Sequence, residues 1–446
     1  MTTVSTRRWL TVLSAVMGLA MGTTQADARP APDLSGAWDI TASRDDGPAS
    51  ATLELARDGD AYTGHSGPLD AFGIFALDYR GQAAGGRLHL SIQSQGRAVG
   101  AMDLDVRGAN LKGLGRLFGI PLTISGQRPP DLAAHTPQTL DAEPAQFRPL
   151  SSAWPTPLLR IYPGDTVRTR TVDAYGVDEK DQPAGMAGNP GTGPFHVEGA
   201  MPGDTIGIEI VSLKINRSTA RMGRGIIDPK ALPQGYPQQA GDHPQAVWLL
   251  DPVKGAAAPQ EPSARLKSFT VPLRPMLGVV AVAPPGGLAV PNSDLGEWGG
   301  NLDYPQVREG VTLYLPVYQA GALIYVGDAH GRQGDGEITG QGLETSMAVE
   351  FKTVLIKRQA MTQPWAENAD YVMVSGIGGS LDAAAQRATA GLATWLKQRY
   401  RLDDSDVAAV LGTALEYDIA EVVDPKSHVV AKIRKDVLSR ISAVEP

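Results

Sequence analysis

The residues best suited to chemistry lie in one glycine-rich stretch. Between Gly327 and Glu344 the chain sets four carboxylates (Asp328, Asp335, Glu337, Glu344), one histidine (His330) and two glutamines among six glycines. Glycine lets a backbone turn sharply, so polar side chains from such a stretch can converge on one point. Apolar runs at residues 311–317 and 321–326 precede it, which places the loop at a sheet end, where sites are commonly built. A calcium loop of the EF-hand type needs Asx at alternate positions and Gly at the sixth. Counted from Asp328, the third and fifth places are His330 and Arg332 and the sixth is Gln333, so that reading fails. A phosphate cradle wants a Lys after the glycines and few acids. His with Asp and Glu, and without Cys, suits Zn²⁺ or a similar divalent ion with an open coordination position. Spacing alone leaves two readings open: a catalytic or metal site, and a solvated acidic turn.

The elements that must carry this loop are mainly β. Residues 33–128 read as short alternating strands, clearest in Leu88-His89-Leu90-Ser91-Ile92 and Met102-Asp103-Leu104-Asp105-Val106, joined by turns such as Asp58-Gly59-Asp60. That pattern suits a small β-barrel or sandwich and resembles the lipocalin-like barrels of secreted bacterial proteins. His65 and His89 on these strands read as structural or solvated. The proline-rich residues 129–149 read as a linker. Beyond it, Pro163-Gly164-Asp165-Thr166 and Pro202-Gly203-Asp204-Thr205 each turn into a strand. Tyr371-Val372-Met373-Val374 reads as a buried strand. Leu381, Ala384, Ala385, Ala388, Leu392 and Leu396 then fall at helical spacing, with Ser380 as N-cap. A second helix is expected after Asp403-Asp404-Ser405.

Gly (51) and Pro (34) are plentiful among the 446 residues, which fits many turns. The net charge of −8 gives no basic footprint, so nucleic acid is not an expected partner. The absence of Cys excludes disulfides, thiolate metal sites and a cysteine nucleophile. Arg7-Arg8, an uncharged apolar run at residues 9–21 and Ala26-Asp27-Ala28 read as a signal peptide, residues 1–28, of either the Sec or the twin-arginine type. The run is too short for a membrane anchor. Removing it takes two Arg and one Asp, leaving 38 basic and 47 acidic residues, or −9. A periplasmic or secreted protein without a membrane partner is expected; homo-oligomer formation is left open.

Residues from about 150 to the C-terminus resemble the acetamidase/formamidase family. The motifs come in the family's order: Gly193-Pro194-Phe195-His196-Val197-Glu198-Gly199-Ala200, Pro202-Gly203-Asp204, Pro275-Met276-Leu277-Gly278-Val279 and Gly299-Gly300-Asn301-Leu302-Asp303. The loop from Gly327 to Glu337 and Glu344 follow, then Val374-Ser375-Gly376-Ile377 and Val422-Val423-Asp424-Pro425. The resemblance implies a β-sandwich core with an α+β C-terminal part, and hydrolysis of short aliphatic amides to a carboxylic acid and ammonia. It also implies a divalent metal in or near the site. The chain departs from the family's pattern at Asn189-Pro190, where a His often precedes the Pro, and at Leu302, which replaces a commoner Met.

Amide hydrolysis needs a nucleophile, oxyanion stabilisation and a proton for the leaving amine. The chain shows no Gly-x-Ser-x-Gly elbow and no Gly-Gly-Ser-Ser-Gly run. A metal-activated water is then the simplest choice, with zinc first in line. On this reading Asp303, Asp328 and His330 are the ligands. Glu337 or Glu344 carries the proton, and Asp335 orients them. Glu198, Arg332 and Gln333 are candidates for holding substrate, Arg332 through a substrate carboxylate. His196, His243 and His428 read as structural. The alternative is an exported amide- or carbohydrate-binding protein whose amidase-like fold has lost catalysis, a reading that Asn189 supports.

Overall fold

The computed structural model describes residues 33–442 except 46, 67–75, 224–225, 239–245 and 360. The expected signal peptide and His243 therefore lie outside the described residues.

Strands Gly36–Arg44, Gly47–Asp58, Ala61–Ser66, Leu77–Ala84, Arg87–Ser94, Arg97–Arg107, Asn110–Leu117 and Ile120–Gln127 form a closed antiparallel barrel. Closure comes from the first strand, which pairs with both the second and the last. The expected alternation sets its inside and outside. Leu88, Leu90 and Ile92 are buried, whereas His89 points out and meets Asp103 at 2.7 Å. Trp38, Leu53, Leu77 and Leu104 fill the interior, so this barrel is a packed core rather than an open cup.

The rest is built on two large sheets, of eleven and nine strands among the described residues. Leu277, Val280, Ile324 and Val326 of the first face Ile206, Ile208, Leu315 and Val349 of the second across one shared core. Phe195 and Phe351, one from each sheet, meet edge-on at 5.1 Å between ring centres. This is the mainly β, sandwich-like core expected. The two Pro-Gly-Asp turns are alike in detail. Asp165 accepts a hydrogen bond from the Tyr162 N–H at 2.8 Å, and Asp204 one from the Met201 N–H at 2.9 Å. Each opens a strand, Thr166–Arg170 and Thr205–Ile215, and both pair with strand Met347–Ile356. Strand Thr139–Asp141, inside the stretch read as a linker, joins the nine-stranded sheet beside Thr166–Arg170.

Helix Leu381–Tyr400 starts where Ser380 accepts a hydrogen bond from the Ala383 N–H at 3.2 Å. It buries Ala388, Leu392 and Leu396 on strand Tyr371–Gly378, and helix Asp404–Ala414 follows with Asp403 as its N-cap. Among the described residues no helix is long and apolar enough to cross a membrane.

Candidate functional site

Strand Ile324–His330 lies inside the eleven-stranded sheet between strands Met276–Ala281 and Glu344–Thr345. His330 pairs directly with Glu344, so both side chains leave the sheet on one side, and Asp328 sits two residues upstream on the same strand. Register pairs Leu277 with Ala329 and Val279 with Gly327, which puts Gly278 opposite Asp328. A Cβ at Gly278 would lie 2.5 Å from Asp303 Oδ1 and 2.6 Å from Asp328 Oδ2. Only glycine lets those two carboxylates converge there. Asp303 follows strand Gly299–Asn301, which pairs with Met276–Ala281.

The glycine-rich loop closes the site from the side. Gly336 bridges to Glu421, and its N–H and C=O bond the backbone of residues 419–422. That contact brings Glu337 to Glu421 and Asp424, at the end of the nine-stranded sheet's edge strand Glu416–Glu421. The site therefore sits in the seam between the two sheets. Asp303, Asp328, Glu337 and Asn189 all adopt positive φ (40°, 50°, 45° and 56°). Such backbone is uncommon for non-glycine residues and collects at functional sites.

His330 is oriented by Gln333. The Gln333 amide nitrogen donates to the Asp303 carbonyl at 2.6 Å, which turns its oxygen toward His330 Nδ1 at 2.8 Å. A carbonyl oxygen only accepts, so we assign the proton to Nδ1. Nε2 then faces Glu344 at 3.2 Å, Asp328 at 3.4 Å and Asp303 at 3.9 Å. His330 is 0% exposed. Its place after an apolar strand and among glycines suggests the surface of a cleft, but the ring is covered: Gly342 packs so closely on it that a Cβ there would lie 2.5 Å from Nδ1.

Five buried polar atoms of this cluster have no hydrogen-bond partner among the described residues: Asp303 Oδ1, Asp328 Oδ1, His330 Nε2, Glu344 Oε2 and Glu421 Oε1. Donor atoms within 4.8 Å of one another come from Asp303, Asp328 and His330, from His330, Glu337 and Glu344, and from Glu337, Glu421 and Asp424. Burial pushes the carboxyl groups up: Glu344 to about 7, Asp424 to about 6 and Glu421 to about 8, with Asp303 and Glu337 well above their usual range. Burial works against a charge on His330, but the facing Glu344 and Asp328 carboxylates outweigh it and raise its pKa. Lys230 caps the Val423 and Asp424 carbonyls rather than a carboxylate. Burying so many acids without cations costs several kcal/mol per ion. Unpartnered oxygen and imidazole donors converging at this spacing fit a divalent cation.

Of the residues singled out from sequence, the structure brings together Asp303, Asp328, His330, Gln333, Glu337 and Glu344. It does not bring in Glu198, which pairs with Arg160 at 2.6 Å on the side facing the barrel, beside His196. Arg332 donates to the Pro272 carbonyl at 2.8 Å, and Asp335 is exposed in a neighbouring cavity with Arg274 and Tyr304. His428 is buried and structural, between the Leu302 carbonyl and Ser375. Four members were given no role from sequence: Asp424, Glu421, Asn301 and Asn189. Asn189 donates to Asp328 at 3.0 Å and to Asn301 at 2.8 Å. Asn301 donates to both Asp303 and Asp424. Their motifs, Gly300-Asn301-Leu302-Asp303 and Val423-Asp424-Pro425, were legible; their convergence was not.

Residues 255–438 match the model of the acetamidase/formamidase family. The chain is 30% identical over 163 residues to the formamidase of Methylophilus methylotrophus, covering 31% of this chain and 39% of that protein. It is 36% identical over 77 residues to a formamidase-named protein of Schizosaccharomyces pombe, 17% of this chain and 18% of that one. The matched segments thus span well under two thirds of either relative. Among solved structures, the acetamidase of Bacillus halodurans is 25% identical with a TM-score of 0.58, covering 68% of this chain and 99% of that one. The acetamidase of Yersinia enterocolitica is 26% identical at 0.58, covering 69% and 95%. An acetamidase/formamidase of Thermoanaerobacter tengcongensis shares the fold at 24% identity and 0.59, covering 70% and 100%. Downstream of its eight-stranded barrel, the chain is thus similar to the acetamidase/formamidase family, in sequence over residues 255–438 and in fold over about two thirds of its length.

Proposed function

We propose that this protein hydrolyses the C–N bond of small linear amides, giving a carboxylic acid and ammonia, at the seam between its two sheets. The observation that carries this reading is the set of unpartnered, buried donors on Asp303, Asp328, His330 and Glu344, in a chain whose residues 255–438 match this family's model. Asp303, Asp328 and His330 would hold a divalent cation, with zinc suited to the mixed oxygen and imidazole donors. When bound, such a cation lowers the pKa of a water to about 7 and polarises a carbonyl.

The chain's own residues supply the rest. Gln333 fixes the His330 ring so that Nε2 offers its lone pair. Asn189 and Asn301 hold the Asp328 and Asp303 carboxylates from behind. Burial pushes the Glu344 carboxyl up to about 7, the direction that suits a group which must both take and return a proton. It takes a proton from the attacking water as the C–O bond forms. It returns that proton to the nitrogen as the C–N bond breaks, so ammonia leaves and the acid remains. Glu337, with a donor oxygen within 4.8 Å of those of His330 and Glu344, would share this role.

The test is ammonia release from formamide, acetamide and propionamide by wild type and Glu344→Gln. Glu344→Gln keeps the shape and removes the base, so turnover should fall about 10²–10⁴-fold with bound cation unchanged. Cation binding without ammonia release from any amide would instead favour the exported binding protein, with Asn189 in place of the family's usual His. We further propose that the mature protein begins near Arg29 and acts outside the cytoplasm.

A further inference from the structure

An apolar cavity of about 290 Å³ adjoins the carboxylate cluster, and Gln333, Glu337 and Gly342 are part of its wall. Glu337 belongs to the site, and Gly342 donates its N–H to Glu344 at 2.9 Å. The remaining wall is of another character. Trp248, Phe269, Val271, Met222 and Leu343 line it. Trp248 and Phe269 meet edge-on, with ring centres 6.1 Å apart at 73°. Trp248 is 7% exposed, whereas Phe269 is 45% exposed. Phe269 and Trp248 share one concave apolar wall with the carboxylate of Glu337, the character of a small-molecule site. The cationic side chain on this wall, Arg332, is held by the Pro272 carbonyl.

The volume is near the lower end for small-molecule pockets, about 300–1,000 Å³, and far larger than a formyl hydrogen or a methyl group needs. Because the leaving group is ammonia, a bulky substituent can only be on the acyl side. Resting on the hydrolase reading above, we propose that this cavity receives the acyl group of the substrate, and that the preferred substrates are primary amides with an aromatic or branched acyl group of about phenyl size. Edge-on and stacked ring contacts with Trp248 and Phe269 are the recognition such a group would use.

The experiment measures kcat/KM for acetamide and phenylacetamide with wild type, Phe269→Ala and Phe269→Leu, and phenylacetamide binding by calorimetry to the same three proteins. Phe269 is the chosen position because, at 45% exposed, its truncation spares the fold, and Phe269→Leu keeps apolar bulk. The expected result is a wild-type preference for phenylacetamide of at least ~10-fold, a fall in that preference of similar size in Phe269→Ala, and partial recovery in Phe269→Leu. A preference for acetamide, with the ratio unmoved by Phe269→Ala, overturns the proposal and leaves the hydrolase reading standing. If no amide is hydrolysed, that reading fails and calorimetry decides the cavity. Phenylacetamide binding that weakens in Phe269→Ala supports the cavity as an acyl site; no binding to wild type overturns it.

Discussion

At Gly278 and Glu344 single atoms decide what the site can do. Gly278→Ala adds one carbon 2.5 Å from Asp303 and 2.6 Å from Asp328, so the two carboxylates must move apart. We expect this change to lower cation affinity by at least ~10-fold, the scale on which displaced supporting groups act at metal sites. Equilibrium dialysis of zinc against wild type and Gly278→Ala checks it; equal affinities would show that Asp303 and Asp328 do not share an ion. The identities of Asp303, Asp328, His330, Glu337 and Glu344 were legible in the sequence because they sit in glycine-rich motifs. Asp424 and Glu421 were not, since they come from the other sheet about a hundred residues from Asp328. The bridge from Gly336 to Glu421 and the hydrogen bond from Asn301 to Asp424 bring them in. Asn189 read as a departure from pattern, and in the structure it is a working hydrogen-bond donor to Asp328.

Strand Ser427–Arg434 shows how one element couples fold and site. Its His428 joins strand Tyr371–Gly378 through Ser375 Oγ at 2.9 Å and reaches the Leu302 carbonyl, one residue from Asp303, at 2.7 Å. Both contacts suit the neutral ring, and burial lowers its pKa from 6.5 to about 4. Between those values the unfolded chain binds a proton that the folded chain refuses. Stability therefore falls as pH drops from about 6.5 toward about 4. From pH 7 to 5 this term removes about 2 kcal/mol. The buried carboxyls with raised pKa act with the opposite sign, so the comparison is wild type against His428→Gln by urea unfolding at pH 7 and 5. The wild type should lose about 2 kcal/mol more than the variant over that interval; equal losses would mean His428 is charged in the fold. Elements such as this were the most legible part of the sequence. Alternation in the barrel and the 3.6-residue spacing after Ser380 act locally, over a few residues. The pairing of Gly299–Asn301 with Met276–Ala281 is non-local and left no such signal.

On the scale of the whole molecule, the barrel and the two-sheet body have separate apolar cores. Among the described contacts between them is an exposed ion pair, Arg358 with Glu54 at 2.8 Å, which contributes at most about 1 kcal/mol. We propose that the barrel is dispensable for chemistry. Because strand Thr139–Asp141 belongs to the body's sheet, the cut must fall before it, near residue 129. A chain starting there should fold cooperatively and keep its kcat/KM within a few-fold. A folded but inert product would place part of the site in the barrel. The central claim, a cation-dependent amide hydrolase built on buried carboxylates and His330, is tested most directly by one titration. Protein stripped with a chelator is assayed for ammonia release from acetamide as zinc is added back. The stripped protein should show no turnover, and recovery should rise in step with bound zinc until the site saturates. Full turnover in stripped protein, unaffected by added zinc, would contradict the claim.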